Sequence, residues 1–546
     1  MLAVMKLIKF CLSLLLTPAL LACGGSGATP PSATANVPTP VSLSVTDRGA
    51  VALAPPATQL PSDWPYGAVM QIYVRAYQDS DGDGIGDLKG LTQRLDYLAS
   101  LGIRGIWLMP VTASSDRDHG YAVQDYRAIE PDYGTVEDLR AFIQAAHARG
   151  IGVITDYLIN HASDQHPLFR NARSSPQSAD RNYFVWQTQQ PAGWDVWGKN
   201  PWYAAETGYY FATFGSNMPD FNWRNPAVEA FHFDNIRHWL NLGLDGIRFD
   251  ATKHLIENDA RNWDNQPESH SIMRRVRALV RQVPHAHMVC EAPAAVKETT
   301  ESCGQAFDFD LPGKLFAAVN SPTESHVAAL AAHIRGLPAN PAVFLSNHDR
   351  FAGDRVWNQV AGDLRRAKLA AASILLMPGT PYLYYGEEIG MGANPTLSGD
   401  WGLRTPMSWT ATSAGFSTGQ PFRAASGNQG QQNVAAEEAR SDGLLHHYRQ
   451  LMRLRNARPS VSQGERLQVV SQGAVLSMEL RRGQEGTLVL LNFGEQPVVQ
   501  AVEGLSQWKR AESLMGSARL EGPISPEGRL RVSLPAGAIA VLGLSP

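Results

Sequence analysis

The stretch GLDGIRFDATKH, residues 243–254, has the pattern of a buried strand that ends in charged residues. Ile247 and Phe249 are two positions apart and therefore lie on one face of the strand. Arg248 and Asp250 lie on the other face, where burial of a charged pair costs free energy unless each group is compensated. This pair is either a structural ion pair or part of a functional site at the end of the strand.

Seven other short apolar runs resemble this one, and amphipathic stretches such as 136–150 and 227–243 lie between them. Near-continuous apolar runs indicate parallel strands that are covered on both faces. Gly150 and Gly243 stand where the C-caps of two helices are expected. Eight such alternations predict a (β/α)₈ TIM barrel. The eight runs are 68–74, 103–109, 151–157, 244–250, 287–291, 306–310, 342–346 and 380–385.

Two segments depart from a plain barrel. Residues 162–226, after the third strand, are polar and aromatic and too long for a simple loop, so we predict an inserted subdomain there. Residues 456–546 contain short strands separated by turn residues, which predicts a C-terminal antiparallel β-sandwich domain. The barrel itself is then formed by 63–161 and 227–455.

The N-terminus has the pattern of an export signal rather than of a folded element. Residues 1–22 combine two lysines with an apolar run that is too short to span a bilayer. The run ends in Leu-Leu-Ala-Cys, which resembles a bacterial lipobox and makes Cys23 the expected lipidation site. An ordinary secretory signal is the alternative. Residues 23–62 are rich in Pro, Ser, Thr, Ala and Gly, which predicts a disordered tether.

These features predict an exported protein that is held at a bacterial membrane, in the periplasm or at the cell surface, by its lipid anchor only. The formal net charge of −4 shows no basic excess, which argues against a nucleic-acid partner. We expect a monomer. Two cysteines remain in the predicted barrel, Cys290 and Cys303, and export allows a disulfide between them as readily as two buried thiols.

Carboxylates recur at the ends of the predicted strands. Asp250 ends the fourth strand, Glu291 ends the fifth, and Asp349 follows the seventh. In a barrel of this kind the C-terminal strand ends meet at one face. Glycoside cleavage is the simplest chemistry for such a set, because one carboxyl protonates the leaving oxygen and another attacks or activates water. The alternatives are solvent-facing carboxylates and ordinary core ion pairs.

Five sequence motifs occur in order along the chain. They are DYLINH (156–161), MPDFNW (218–223), GIRFDATKH (246–254), CEAP (290–293) and FLSNHD (344–349). With these motifs, the chain from about residue 66 to the C-terminus resembles the α-amylase family of retaining glycoside hydrolases. The segment MPDFN is similar to the MPDLN motif of the group intermediate between oligo-1,6-glucosidases and neopullulanases.

The resemblance implies a role for each of the three carboxylates. Asp250 would be the nucleophile that forms a glycosyl-enzyme, and Arg248 would keep it ionised. Glu291 would be the general acid and then the base, with a pKa raised by a setting without a local countercharge. Asp349 would bind the sugar at the cleavage subsite.

The resemblance also implies a set of sugar-binding residues. Tyr121 would stack on the sugar, and His161 and His348 would hydrogen-bond its hydroxyls. Lys253 and His254 would line the subsites on the reducing-end side of the cleaved bond.

Two readings of the substrate follow. The Lys253–His254 pair and the MPDFN segment favour an α-amylase that cleaves α-1,4 bonds of starch, glycogen or maltodextrins. Asp118, three residues before Tyr121, instead resembles an aspartate of exo-acting α-glucosidases, with Arg404 as a candidate partner. The alternative for Asp118 is a rim charge of no consequence. A glucanotransferase, and a surface lipoprotein that binds glycans without catalysis, are the further alternatives.

An acidic loop follows the first predicted strand and resembles the calcium loop of the oligo-1,6-glucosidase branch. It matches an EF-hand loop at nine positions but has Gly90 where the bidentate glutamate would stand. The implied calcium is structural, and a second calcium at Asn160 is an open possibility. A solvated acidic turn is the alternative. The expected ligands are Asp79, Asp81, Asp83, the carbonyl of Ile85, and Asp87.

Overall fold

The computed structural model describes residues 42–58 and 60–546. The predicted signal peptide and the lipidation site Cys23 lie outside these residues, so export and lipid anchoring stay predictions of the sequence. Residues 42–546 form one compact unit. Within the described part of the chain, no helix is both long enough and apolar enough to cross a membrane.

A parallel sheet of seven strands forms the centre of the molecule, as the sequence predicts. The gap between its two edge strands is bridged by Ala306 and Phe307, which pair with Cys290 and Ala342 through single parallel bridges. The chain therefore closes into a (β/α)₈ barrel with a reduced sixth strand. In spatial order the seven strands are His287–Cys290, Gly246–Asp250, Gly152–Leu158, Gly105–Leu108, Val69–Ile72, Thr380–Tyr384 and Ala342–Phe344.

The predicted sixth strand, 306–310, is shorter than expected because a turn follows its first two residues. The carboxylate of Asp308 accepts hydrogen bonds from the backbone amides of Asp310 and Leu311. These bonds turn the backbone away from the sheet and into the helix Leu311–Asn320. Asp308, a turn-forming residue within the apolar run, therefore ends the sixth strand early.

Helices cover the outside of the barrel. Val136–His147 begins with a capping box between Thr135 and Asp138, and its buried side chains recur at helical spacing on one face. The α-helices are Leu88–Gln93, Leu95–Leu101, Val136–His147, Pro167–Ser174, Pro226–Asn241, Pro267–Val280, Val296–Cys303, Leu311–Asn320, Glu324–Gly336, Val356–Gln359, Leu364–Leu375, Val434–Glu438, Leu444–Ala457 and Pro459–Gln463.

The segment 162–226 forms a small layer of its own over the third strand. It contains the helix Pro167–Ser174 and an antiparallel sheet of Trp186–Gln187, Gly208–Phe211 and Trp202–Ala205. Aromatic rings fill its interior, with Phe169 stacked on Trp186 at a centroid distance of 5.6 Å. A short antiparallel hairpin, Thr112–Ser114 and Val123–Ile129, lies after the second barrel strand.

Two antiparallel sheets form the C-terminal part of the chain, as predicted. They enclose an apolar core that includes Leu490, Trp508 and Leu542. The first sheet has the order Glu465–Gln472, Val475–Arg482, Glu485–Asn492, Ile539–Ser545 and Arg510–Met515, and the second has the order Val498–Val502, Leu530–Leu534 and Arg519–Leu520.

The predicted tether is too long, because residues from 43 onward are bound to the globular unit. Asp47 is 1% exposed, and its carboxylate accepts hydrogen bonds from the amide of Tyr126 and from His166 Nε2, both at 2.9 Å. The amide of Leu43 donates to Asn171 Oδ1 at 2.8 Å. The tether is predicted from the composition of the whole segment. Composition does not reveal that Asp47 has a buried partner, His166.

The open question about the two barrel cysteines is decided by the fold. Cys290 ends the fifth strand and Cys303 ends the helix Val296–Cys303, and the two form a disulfide. The bond ties the strand that presents Glu291 to the helix that follows it.

Candidate active site

Parallel pairing of the third, fourth and fifth barrel strands brings the predicted charges together. Asp156 pairs with Arg248, and Arg248 pairs with Val289, so these residues occupy one level of the sheet. Asp250 lies two residues after Arg248, and Glu291 lies two residues after Val289, at the C-terminal ends of their strands. Side chains two residues apart point to the same side of a strand. The charged groups of Asp156, Arg248, Asp250 and Glu291 therefore all enter the barrel mouth.

Arg248 is the centre of this arrangement and is 2% exposed. Its Nη1 donates to Asp156 Oδ1 at 2.6 Å and to Asp250 Oδ1 at 2.7 Å, and its Nη2 donates to Glu291 Oε2 at 2.6 Å. Its guanidinium lies 5.1 Å from the ring centroid of Trp107. One cation therefore serves three buried carboxylates, so Glu291 does have a countercharge, contrary to the prediction.

Burial dominates the electrostatics of the carboxylates. It raises the pKa of Glu291 to about 7, although Arg248 acts in the opposite direction and the charge of Asp250 adds to the increase. It also raises the pKa of Asp250 to about 6, so Arg248 moderates this pKa without holding it low as predicted. Asp250 and Glu291 also bind the two Nη atoms of the same guanidinium, so the two carboxyl groups lie close together. The two groups therefore titrate as a pair.

Asp349 lies at the same barrel mouth with a cation of its own. Arg404 Nη2 donates to Asp349 Oδ1 at 2.7 Å, and Arg404 Nε donates to the carbonyl of His348 at 2.9 Å. Burial raises the pKa of Asp349 to about 6 in spite of this guanidinium. The sequence shows Arg404 only as a candidate partner of Asp118, and its contact with Asp349 is a finding of the structure.

Tyr121 links the group of residues around Arg248 to the group around Arg404. Its hydroxyl donates to Asp156 Oδ2 at 2.9 Å and lies 2.6 Å from His348 Nε2, and its ring stacks on His348. Gln71, at the end of the first strand, lies 2.6 Å from the other ring nitrogen of His348. Burial lowers the pKa of His348 well below its usual value, so this ring is neutral. Gln71 could have been found by the strand-end rule that located Asp250.

His161 lines the same cavity, and its Nε2 lies 3.1 Å from the carbonyl of Tyr121. Burial lowers its pKa to about 4, which makes it a neutral hydrogen-bonding group at ordinary pH. The structure thus brings His161 and His348 to the site that the family resemblance implies.

Lys253 and His254 lie beside the carboxylates in a 3-10 turn, Thr252–His254. The ammonium of Lys253 pairs with Asp264 at 3.0 Å. His254 stacks on Trp263 at a centroid distance of 5.3 Å. Both residues line the cavity, but each is also held by a neighbour from the following loop.

Asp118 has a partner other than the predicted one. Its Oδ1 accepts from Arg423 Nη2 at 2.8 Å and from the hydroxyl of Tyr73 at 2.5 Å. Arg423 lies over the ring of Trp401, which lines the cavity, with a distance of 5.6 Å to the centroid. Asp118 therefore acts on the cavity through Arg423 and Trp401. A partner 305 positions away could not be chosen from the sequence.

A cavity of about 840 Å³ opens above the carboxylates. Its floor is polar and its upper wall is aromatic, with Trp197 and Phe214 from the inserted segment and Phe351 and Trp401 from loops after the seventh and eighth strands. The sequence does not assign any of these rings to the site. Trp194 and Trp202, by contrast, pack against Phe211 inside the inserted segment.

The acidic loop after the first strand brings three of its carboxylates together. Ligand atoms of Asp79, Asp81 and Asp87 lie within 4.8 Å of one another. Asp83 is not part of this group, and its Oδ1 accepts from the amide of Ile85 at 2.7 Å. The sequence prediction that Asp83 belongs to the same set is therefore not supported by the geometry. The group contains only hard oxygen donors, which suit Ca²⁺.

Comparison with known proteins gives a consistent result. The family model for the catalytic domain of alpha amylase matches residues 71–464. The chain is 33% identical, over 86% of its length, to the trehalose synthase/amylase TreS of Mycobacterium tuberculosis, of which it covers 88%. It is 31% identical, over 83% of its length, to the probable alpha-glucosidase of Rhizobium meliloti, of which it covers 93%.

Solved structures show the same similarity. The crystal structure of alpha-amylase from H.orenii superposes with a TM-score of 0.76 at 30% identity. The match covers 88% of this chain and 100% of that chain. These proteins differ in the reactions that their names state, so the comparisons leave the choice of substrate to the site itself.

Proposed function

The chain belongs to the α-amylase family of glycoside hydrolases, and from this premise we propose that it hydrolyses α-1,4-glucosidic bonds in maltodextrin-type substrates with retention of configuration. The observation that carries the proposal is the single guanidinium of Arg248 shared by Asp156, Asp250 and Glu291. Such a set of buried, converging carboxylates is costly to keep and is typical of an active site.

Retention follows from the closeness of the two reacting carboxyls. Asp250 Oδ1 and Glu291 Oε2 are bound to the two Nη atoms of one guanidinium, at 2.7 and 2.6 Å, which supports the short carboxyl separation of a retaining pair rather than the wider separation of an inverting pair. In the first step Asp250 attacks the anomeric carbon, and the proton of Glu291 moves to the leaving oxygen as the glycosidic bond breaks. In the second step Glu291 takes a proton from water, and the hydroxide oxygen displaces Asp250.

The remaining residues hold the sugar and the charges in place. Arg248 favours the ionised form of Asp250 before the attack, and it stabilises the carboxylate of Glu291 after the proton has moved to the leaving oxygen. Asp349, fixed by Arg404, accepts hydrogen bonds from the sugar at the cleavage subsite. His348 is neutral and oriented by Gln71, and Tyr121 provides a ring face for stacking. Lys253 and His254 lie on the leaving-group side.

The pKa values predict a narrow pH profile. We expect kcat/KM for maltoheptaose to follow a bell, rising with an apparent pKa near 6 as Asp250 ionises and falling with one near 7 as Glu291 loses its proton. The profile is measured by the release of new reducing ends between pH 4 and 9. Glu291→Gln, assayed on α-glucosyl fluoride, should lack the alkaline limb, because the fluoride leaves without a proton. An alkaline limb that persists in this variant would contradict the assignment.

A second candidate is an exo-acting α-glucosidase. The observation that favours it is the ion pair of Asp118 with Arg423 beneath Trp401, which stiffens one end of the cavity. The cavity of about 840 Å³ also suits a short substrate better than a long polymer.

The product profile from maltoheptaose distinguishes the two candidates. Endo-cleavage releases maltose and longer oligosaccharides first, and starch–iodine colour falls quickly. Exo-cleavage releases glucose and maltohexaose first, and the colour persists. We expect the endo pattern; early glucose without intermediate oligosaccharides would assign the second candidate. Arg423→Gln serves as the matched variant, because it removes the ion pair with Asp118. It should change the product profile only if the enzyme is exo-acting.

We further propose that the acidic loop holds a structural calcium through Asp79, Asp81 and Asp87. The loop fits a hard cation because three carboxylates converge there, although Asp79 also accepts hydrogen bonds from the amides of Gly82 and Gly84. The cation would join the loop to the barrel and take no part in cleavage.

Removal of calcium should lower thermal stability with little effect on the pH profile. We expect EGTA to lower Tm by about 2–4 °C relative to 5 mM CaCl₂, a typical consequence of losing a ligand of the folded state. Asp81→Ala should abolish the difference, since Asp81 is the exposed member of the group. Asp83→Ala is the control and should keep it. Equal Tm values in both buffers would show that the loop is a solvated acidic turn.

A further inference from the structure

The barrel wall has its weakest strand pairing beside Glu291. The fifth strand, His287–Cys290, pairs with the fourth at four consecutive positions. On its other side it meets only the short sixth strand, through a single bridge between Cys290 and Ala306. The fourth strand, which ends in Asp250, pairs at four positions on one side and at five on the other. The two reacting carboxylates therefore lie on strands with unequal support.

The backbone of Glu291 is held from the fourth-strand side. Its amide donates to the carbonyl of Phe249 at 2.9 Å, and its carbonyl accepts from the hydroxyl of Thr252 at 2.9 Å. Both partners belong to the fourth strand and the turn that follows it. These bonds do not restrain the chain that continues from Glu291 toward the sixth strand.

The segment that follows Glu291 contributes little local stability. Ala294 has φ +66°, in the left-handed region that residues with a Cβ atom avoid. The helix Val296–Cys303 begins after Ala295, whose side chain cannot cap it, and has only eight residues. So short a helix is not stable by itself in water. The segment therefore depends on contacts with the rest of the protein.

The disulfide provides one such contact directly beside Glu291. Successive side chains of a strand point to opposite faces, so Cys290 points away from the barrel mouth while Glu291 points into it. The sulfur of Cys290 is bonded to that of Cys303, and the two residues are 0 and 1% exposed. Glu291 thus lies inside a covalent loop that begins one residue before it. A closed loop of this kind has fewer conformations than an open one.

The far end of the loop is itself fixed to the barrel exterior. Ser302 Oγ lies 3.1 Å from His270 Nδ1, and Arg277 Nη1 donates to the carbonyl of Glu301 at 3.2 Å. His270 and Arg277 belong to the helix Pro267–Val280, which precedes the fifth strand. The disulfide therefore links the end of the fifth strand to a packed pair of helices, on the side where the sheet gives it least support.

We propose that the Cys290–Cys303 disulfide positions Glu291 for proton transfer, so that both cysteines are positioning residues of the acid catalyst. This inference rests on the function proposed above, which assigns Glu291 as the general acid. A general acid acts only when its proton is within hydrogen-bonding reach of the leaving oxygen. Without the disulfide, the end of the fifth strand can move, whereas Asp250 keeps its place on a strand that is paired on both sides.

The test removes the disulfide and compares two substrates. Cys303→Ala is assayed on maltoheptaose, whose leaving group needs a proton, and on α-glucosyl fluoride, whose leaving group needs none. We expect kcat/KM to fall about 10-fold or more on maltoheptaose and less than about threefold on the fluoride, because small displacements of a catalytic group cost this much in rate. Cys290→Val/Cys303→Ala keeps apolar volume at the strand and should give the same ratio.

Two controls separate positioning from stability. In a Glu291→Gln background the acid is already absent, so Cys303→Ala should change kcat/KM for maltoheptaose by less than about twofold, as a double-mutant cycle requires of coupled residues. Leu139→Ala truncates a buried side chain of the helix Val136–His147. It should lower Tm and leave the ratio of the two substrates unchanged.

The outcomes distinguish this inference from the proposed function. Equal losses on both substrates overturn the inference, because the disulfide then stabilises the fold without a particular effect on the acid. An undiminished effect of Cys303→Ala in the Glu291→Gln background also overturns it, as do free thiols at both cysteines when wild-type peptides are mapped without reduction. Wild-type protein that cleaves neither substrate refutes the proposed function itself.

Discussion

Asp250→Asn is expected to lower kcat for maltoheptaose hydrolysis by about 10⁴-fold or more, the scale on which loss of a nucleophile acts in other hydrolases. The amide is nearly isosteric and keeps one oxygen for Arg248, so the fold and the affinity for substrate should persist. The rate is measured by the release of new reducing ends, and binding by calorimetry with maltoheptaose. Asp96→Asn is the matched control, because the Asp96 side chain is 83% exposed and lies outside the site.

A chemical rescue distinguishes a nucleophile from a structural carboxylate. In Asp250→Gly, azide can enter the vacated space and attack the anomeric carbon of α-glucosyl fluoride. We expect a β-glucosyl azide, because one displacement inverts the configuration. Wild-type-like turnover of Asp250→Asn, or azide-independent activity of Asp250→Gly, would contradict the assignment of the nucleophile.

Glu291 gives a complementary signature. Its raised pKa, about 7, keeps the carboxyl protonated in part near neutral pH, as an acid catalyst requires. Glu291→Gln should therefore lose far more activity on maltoheptaose than on α-glucosyl fluoride, whose leaving group needs no proton. Equal losses on both substrates would indicate that Glu291 acts on the fold rather than on the leaving group.

Arg248→Leu is expected to have the largest effect on stability. The substitution removes the shared donor from Asp156, Asp250 and Glu291 and leaves three buried carboxylates without a cation. Loss of one partner from a buried ion pair costs about 3–5 kcal/mol. The free energy of unfolding at pH 8, measured by urea denaturation, should fall by this amount, and hydrolysis should cease.

The direction of the pH dependence follows from the carboxylates. Their folded-state pKa values, about 6 to 7, lie above the values of about 4 for an unfolded chain. The folded protein therefore binds more protons than the unfolded chain between about pH 4 and 7, and stability from this cluster falls as pH rises through that window. Without Arg248 the pKa values rise further, so Arg248→Leu should approach the wild type at pH 5 and differ most at pH 8.

A conservative variant serves as the control for this prediction. Arg248→Lys keeps the positive charge. The lysine side chain is shorter, and its ammonium cannot bind three carboxylates with the planar geometry of a guanidinium. Its stability should lie between those of the wild type and of Arg248→Leu. If Arg248→Leu and the wild type unfold alike at pH 8, the carboxylates are not held as a buried charged set.

The strand ends show how far the sequence alone is sufficient. Asp250, Glu291 and Asp349 were located because a buried parallel strand is recognisable as an apolar run and its C-terminal end faces the barrel mouth. The same rule covers Asp156 and Gln71, which complete the site. The apolar runs do not define where each strand ends, as the turn formed by Asp308 shows.

The pairing of charges could not be predicted in the same way. The sequence predicts Arg248 as the partner of Asp250, and in the structure Arg248 also binds Glu291. Arg404 binds Asp349, and Asp118 binds Arg423 instead. Each of these choices depends on which loops meet above the barrel. Loop conformation is set by contacts between residues far apart in the chain, and local pattern contains little information about it.

The sequence by itself determined the architecture and the chemistry of the site. Alternation of apolar runs with amphipathic stretches predicts a (β/α)₈ barrel, and three strand-end carboxylates, together with motifs that resemble the α-amylase family, indicate glycoside cleavage. Both are repeated local patterns of sequence, and such patterns can be recognised without knowing which distant residues are in contact. Only the tertiary structure decided the disulfide, the burial of Asp47 against His166, the three-way sharing of Arg248 and the aromatic lining of the cavity. Each of these joins residues from separate segments, and the free energy of such contacts exists only after the segments have packed together.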